Sequence, residues 1–442
     1  MNAEVTTIKT AAESMLANTF AEARSRLPGD GTIAAQRAAA FDVFARLGLP
    51  HRRIEEWKYT DLRALMREAK PLASPPDSAA KARAKSAGAM LGDVEVRRLA
   101  FVDGAFVPEL SDLKGLEPGL SISSLADALA EGNPAVLGHL GKIAPAGDVA
   151  VALNTALMGD GAVIRIADGA TIERPLHLCF VASQKPVAMF LRSLVIAAPG
   201  TRAMLIESHE GPAGSEYQVN SALEMFVGER AHIDHVKIIG DGSDAMHVST
   251  LAAAVAARAR FNAFAFSMGG AVVRNQMFLN FDGEDTVAGI RGAALLGGRQ
   301  HADATLLVNH IARGCQSREV FKSVLDGESH GVFQGRIVVR RGAQKTDAKM
   351  MTQALLLSER AEADNKPELE IYADDVQCGH GATAGALDDE LKFYLMARGI
   401  SPAEAESLLI QAFLGEAIEG IEHAGLREAL MEAVAAWLKA RK

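Results

Sequence analysis

Apolar and polar positions alternate through the middle of the chain, and that two-residue period is bracketed by helical periods on either side. Between about Val149 and Leu387 short runs follow closely: AVIRIA (162–167), LHLCFVA (176–182), AMFLRSLVIAA (188–198), ALEMFVG (222–228), RFNAFAFSM (260–268) and GVFQGRIVV (331–339). Such alternation is that of half-buried strands. Gly, Asp and Asn punctuate the runs, as in GDGSD (240–244) and GGRQHAD (297–303), which marks tight turns. Hardly any helical period intervenes, which argues against a βαβ sheet. Many short strands can build a sandwich, a barrel or a solenoid. The length of the region and the small-residue run LAAAVAA (251–257) favour a solenoid. Turn spacing is irregular, however, and periodicity alone leaves the sandwich open.

The flanks read differently. Residues 2–48 are rich in Ala, Glu and Arg, with Phe41, Phe44 and Leu47 at three-residue steps before Gly48 and Pro50 stop the run. RRIEEWKYTDL (52–62) sets Trp57 and Tyr59 among charges, the pattern of a helix–turn pinned against a neighbouring surface. KPLASPPDSAAKARAKSAGAMLGD (70–93) offers little apolar area to offset ordering entropy and reads as a linker. A strand at 97–102 and a helix near Ser124–Leu129, with Ser124 and Asp127 placed to cap it, follow. Beyond Leu387 the chain is helical. Ser401-Pro402-Ala403-Glu404 spells an N-cap, a proline at N1 and a Glu at N3. Stripes of Ile410, Leu414, Ile418 and Ile421, with Leu409 and Phe413 beside them, and then of Leu426, Leu430, Val434 and Trp437, exceed what two helices bury alone, so a partner groove is expected. The predicted division is a mainly helical region at 1–148, a β core at 149–387 and a helical domain at 388–442. Within the core, Leu369, Ile371 and Ala373 are expected to face inward, against Glu370, Tyr372 and Asp374.

Charge and cysteine content narrow the function. A net charge of −9 and a pI near 5.8 leave no basic face for nucleic acid. Cys179, Cys315 and Cys378 are odd in number and far apart, as in reduced cytoplasmic proteins. The start of the chain has no apolar stretch of a signal peptide and carries Glu4 and Glu13, and the most apolar window, 186–199, is short and interrupted by Arg192. A soluble cytoplasmic protein without membrane attachment is therefore expected.

Cys378 and His380 are the one thiol and imidazole at ligand spacing. If the strand ELEIYADDVQC runs on through them, both leave one face with Cα atoms about 6.5 Å apart at ~3.3 Å per residue. Both donors suit zinc or iron. A closed tetrahedral site takes about four ligands, so two make a half-site whose remaining ligands lie elsewhere in this chain or in a partner. The bland alternative, a buried Cys beside a hydrogen-bonded His, fits the residues at least as well. His301, His310 and Cys315 lack ligand spacing and suggest surface or turn roles, while His232 and His235 point to opposite faces of one strand. Gly327-Glu-Ser329-His-Gly331 matches a nucleophile elbow, but a strand rather than a helix follows it.

RRIEEWKYTDL, together with SHGVFQGRIVVRRGAQKTDAKMMTQALLLSERAEADNKPELEIYADDVQCGHGATAGALDDELKFYLMARGIS, resembles the SufB/SufD family of iron–sulfur cluster assembly scaffolds. Gly379-His380-Gly381-Ala382 in place of Glu-His-Glu-Ala resembles its SufD branch. The resemblance implies a mainly β fold, a right-handed parallel β-helix between N- and C-terminal helical parts. It also implies a non-catalytic scaffold subunit that pairs with SufB through the β-helices and docks the ATPase SufC on the C-terminal helices. Cys378 and His380 fall on the family's Cys-x-His motif, so iron or a nascent cluster would be held there only jointly with SufB. The isolated chain is expected to hold no metal stably and to pair with a second copy through its open β-edge. A carbohydrate-active β-helix enzyme is the competing reading. It expects aromatic rings for sugar stacking and a secretion signal, and aromatics are only 5% here.

Overall fold

A computed structural model describes residues 9–183 and 185–441; Glu4 and the rest of the first eight residues of the expected N-terminal helical region lie outside the described residues, as does Lys442. Successive strands of the core alternate between a nine-stranded and a ten-stranded sheet, so each strand pairs in parallel with the next but one. The result is a parallel β-solenoid of about eight turns with helices at both ends of the chain. Stacking carries Gln218 onto Met246, then Val272, His301, His330 and Glu362, so a turn takes between 26 and 32 residues. That drift is why no fixed repeat shows in the sequence. One corner nevertheless recurs: Gly200, Arg230, Arg258, Asp285, Gly314 and Lys345 all take positive φ, between 56° and 75°. Each donates its N–H to the corner of the following turn. The ladder offsets the ~1 kcal/mol that a left-handed conformation costs a residue with a Cβ.

Alternate residues of both sheets fill the solenoid interior, among them Leu205, Ile233, Ile290, Phe321, Met277, Ile337 and Met350. The buried helix Val149–Leu157 lies against the nine-stranded sheet, and the helix Gly31–Leu47 packs on that helix. The β core thus begins later than expected. Residues 149–157 form a helix whose nine side chains are all buried, and the first strand of the solenoid proper is Ala162–Ile166. VAVALNTAL is apolar on every side, and periodicity cannot separate a short buried helix from a strand. The RRIEEWKYTDL segment is pinned as anticipated. Trp57 is buried and stacks on the Arg274 guanidinium 3.8 Å from its ring centre, while Thr60 bonds Asp303.

Residues 70–93 are not a free linker. Leu72 bridges to Ala188, and Asp77 caps the helix Ser78–Ala84. Ala80 and Ala84 are buried against Val102, Cys179 and Val181. Small alanines on one helical face dock closely enough to offset the entropy that composition alone weighed against ordering. The C-terminal helices Pro402–Ile418 and Ala424–Ala440 require a similar correction. Their stripes, including Ile410, Leu414, Ile418, Leu426, Leu430 and Val434, are buried on this chain's own ten-stranded sheet, against Ile206, Val236, Phe264, Phe266, Leu295 and Val324. The groove they need is intramolecular.

Candidate functional site at the open end of the solenoid

The two ends of the solenoid differ. At the first turns the sheets close with antiparallel strands: Ala105–Phe106 pairs with Arg97–Val102, and Leu120–Ser124 pairs with Ala162–Ile166. At the other end the strands Glu362–Ile371 and Gln377–Gly385 are last in their sheets, and their side chains are half-buried to exposed. Leu369 and Ala373 pack on the interior cluster as expected. Ile371 stands over Val339 but remains 43% exposed because no further turn covers it.

Cys378 and His380 lie on this last rung. The strand is not a continuation of ELEIY: the chain turns after Ile371 and begins the last strand of the other sheet at Gln377. Cys378 is in register with Ala348, and His380 with Met350. Both of those partners are buried in the interior, so the thiol and the imidazole share the inward face at the mouth of the solenoid. Cys378 is a free thiol, half-buried against the interior cluster. Burial, with the Asp347 and Glu319 carboxylates nearby, pushes its pKa up. A metal must therefore displace a proton to bind there, which weakens a two-ligand site further. His380 is exposed.

Beneath the rung is a carboxylate that the sequence reading missed. Glu319 stands under Met350, which stands under His380. It is fully buried, with neither carboxylate oxygen hydrogen-bonded, and burial pushes its pKa up to about 7. The signal in the sequence is a charge at an inward position of REVFKS, visible only once the strand and its facing are known. His310 and Cys315 flank the turn between the strands His301–His310 and Gln316–Leu325, in keeping with the turn role, but they are fully buried rather than on the surface, with His310 Nε2 3.0 Å from Ser317 Oγ. Burial holds the His310 imidazole down at about 4, hence neutral. Deeper inside, Lys237 is 3.5 Å from Glu207 and 3.2 Å from His209, and His235 bonds Glu207 at 2.8 Å. That network pairs its own charges. Ser329, in the elbow-like motif, sits in a turn before the strand His330–Val339 and donates to the Leu296 carbonyl, as a chance match would.

A second surface stands out next to this end. The helix Asp389–Met396 buries no side chain, and Leu391, Phe393, Tyr394 and Met396 are 51%, 72%, 54% and 40% exposed. Among the described residues no helix is long and apolar enough to cross a membrane.

Comparison with known proteins covers nearly the whole chain. The SufBD protein N-terminal region matches residues 11–178, and the SufBD core domain of SUF system FeS cluster assembly matches residues 180–413. An iron–sulfur cluster assembly SufBD family protein of Synechocystis is 31% identical over 420 residues, 92% of this chain and 91% of that one. The iron–sulfur cluster assembly protein SufD of Escherichia coli is 30% identical over 391 residues, 87% of this chain and 88% of its own. SufD of Bacillus subtilis is 25% identical over 288 residues, 64% and 65% of the two chains. With both family regions present in order, and SufD among its homologues, this chain belongs to the SufBD family of iron–sulfur cluster assembly proteins.

Proposed function

We propose that this chain is a non-catalytic subunit of a cytoplasmic assembly scaffold, contributing half of the ligand set on which an iron–sulfur cluster forms. The observation that carries this reading is the position of Cys378 and His380 on one face of the last, uncovered rung. Two donors at an open end suit a cluster shared across an interface, with SufB supplying the remainder. Iron and sulfide are cargo here, not a resident cofactor.

The same end supports pairing by strand addition. Gln377 donates its N–H back to Thr346, so Cys378, His380, Ala382 and Ala384 turn their N–H groups toward the open edge. That edge, QCGHGATAG, is small and uncharged, whereas Glu362–Ile371 carries alternating charges and Pro367, features that blunt an edge. Partner pairing, with SufB or with a second copy of this chain, accordingly runs through Gln377–Gly385. The apolar residues exposed on Asp389–Met396 offer the ATPase SufC its docking surface on the C-terminal helices.

The test is His380→Ala in the complex assembled with SufB and SufC. Assembly should be retained, since exposed substitutions usually change stability by less than ~0.5 kcal/mol, while the iron and sulfide recovered with the complex should fall. A variant complex carrying normal cluster would return His380 to a structural role.

A further inference from the structure

Far from the open end, three donors from two distant parts of the sequence converge where the C-terminal helices meet the solenoid. His232 and Asp234 are on the outer face at the start of the strand His232–Gly240, and Glu422 is in the turn between helices Pro402–Ile418 and Ala424–Ala440. His232 Nε2 is 3.5 Å from Asp234 Oδ2 and 3.5 Å from Glu422 Oε1, and one ligand atom from each residue lies within 4.8 Å of the others. These separations are too long for hydrogen bonds. They are close to the ~3.3–3.4 Å between ligand atoms that a tetrahedral ion with ~2.0–2.1 Å bonds requires.

Two further observations favour a cation over a bare ion pair. His232 Nε2 is buried with no hydrogen-bond partner although two carboxylates face it. Asn262 Nδ2 donates to Asp234 Oδ1 at 2.7 Å, which orients that carboxylate and leaves Oδ2 free toward His232, as outer partners of metal ligands do. Opposing charge is present. Arg202 Nη2 is 3.6 Å from Glu422 Oε2, and Arg260 Nε is 3.9 Å from Glu422 Oε1, with Arg202 and Arg260 side chains 63% and 57% exposed. Both contacts are long and both guanidiniums can swing into solvent, so they do not close the space among the three donors.

We infer that His232, Asp234 and Glu422 form a binding site for one divalent borderline metal ion of the zinc class, with water in the fourth position. The ion clasps the C-terminal helical pair to the solenoid. From His232 the register runs through Arg260, Val287, Gln316 and Asp347 to Gln377. Those five steps amount to about 24 Å at ~4.8 Å each, so the clasp is separate from Cys378 and His380.

The experiment titrates chelator-treated full-length protein with Zn²⁺ by calorimetry, and with Co²⁺ by its visible absorption. Wild type and a Cys378→Ser/His380→Ala double variant should each bind one equivalent with tetrahedral Co²⁺ bands and melt at a higher temperature when loaded. His232→Ala and Glu422→Gln should lose that equivalent and the metal-dependent rise in melting temperature. Asn262→Ala should retain it about 10–100-fold more weakly. Glu422 lies in an exposed turn, so its variant stays informative if a strand substitution unfolds the protein. The inference is overturned if the double variant abolishes binding, if Glu422→Gln binds as tightly as wild type, or if the melting temperature follows pH but not metal.

Discussion

Replacing Glu319 by Gln isolates what an unpaired charge inside the solenoid does to stability. The side chain is wholly buried, its oxygens have no hydrogen-bond partner, and its pKa is pushed from 4.5 up to about 7 by burial. At ~1.36 kcal/mol per pH unit, that gap amounts to about 3 kcal/mol. Because the folded state holds the proton more tightly, it binds more protons than the unfolded chain between about pH 4.5 and 7, and stability falls with rising pH across that window. The protonated acid is tolerated below 4.5, and the full penalty of the buried carboxylate is present above about 7. Gln keeps the shape and never ionises, so the variant lacks this slope. At pH 8 it should be more stable than wild type by up to about 3 kcal/mol, less ~1 kcal/mol for a buried amide without partners. At ~2 cal/mol/K per residue, a chain of 442 residues gains about 1 °C in apparent Tm per kcal/mol, hence a rise of about 2–3 °C. Thermal melts of both proteins between pH 5 and 8.5 give the answer, and the difference between them removes every other titrating group. Parallel profiles would refute the buried, orphaned state of Glu319.

Other expectations are simpler to test. Phe393→Asp on the exposed helix Asp389–Met396 should weaken SufC binding at least tenfold, read by pull-down or interferometry, with an unchanged melting temperature. Ala382→Pro removes an N–H from the open edge without touching the ladder to Thr352 and should abolish self-association in sedimentation while the circular dichroism stays that of the wild type. Phe266→Ala, fully buried between sheet and C-terminal helices, should cost ~3–5 kcal/mol, visible as a lower melting temperature. Removing residues 388–442 should leave a core that aggregates or binds a hydrophobic dye rather than a well-behaved solenoid, since it bares the Phe264, Phe266, Leu295 and Val324 face.

What could be read from the chain follows from how local each determinant is. Apolar runs between turn residues place most strands within a residue or two, as in Arg97–Val102 and Arg260–Ser267, even where, as at Phe264 and Phe266, the outer face is buried under the C-terminal helices. Strands such as Val287–Leu296 (VAGIRGAALL) do not stand out in the sequence. Glycine and alanine fill their faces, and sequence hydrophobicity does not report how tightly neighbouring turns stack. The pairing of every second strand is non-local, so the sequence pattern puts the solenoid only slightly ahead of the sandwich, and the resemblance decides for it. Cys378 and His380 were legible because ligand chemistry and spacing are local. Glu319 and the His232–Asp234–Glu422 cluster were not, because register and the fold-back of the C-terminal helices bring them together.

The contrast between the two ends ties the fold to the proposed role. A solenoid must stop somewhere, and stopping leaves one rung with unpaired backbone and a half-covered interior. At the first turns this chain closes the sheets with antiparallel strands and packs helices beside them. At the last turn the described residues do neither. Met351, Ile371 and Tyr372 are left 40%, 43% and 54% exposed, beside a glycine-rich edge that carries the thiol and the imidazole. Had the end been capped within the chain, Cys378 and His380 would be interior residues like Ala348 and Met350 one rung below, out of reach of any second protein. A bare rung offers unpaired backbone to a partner strand, and the proposed function has that partner bring its ligands to the same face. On the proposed function, edge and half-site are one device: pairing across the rung would complete the backbone ladder and the ligand set together.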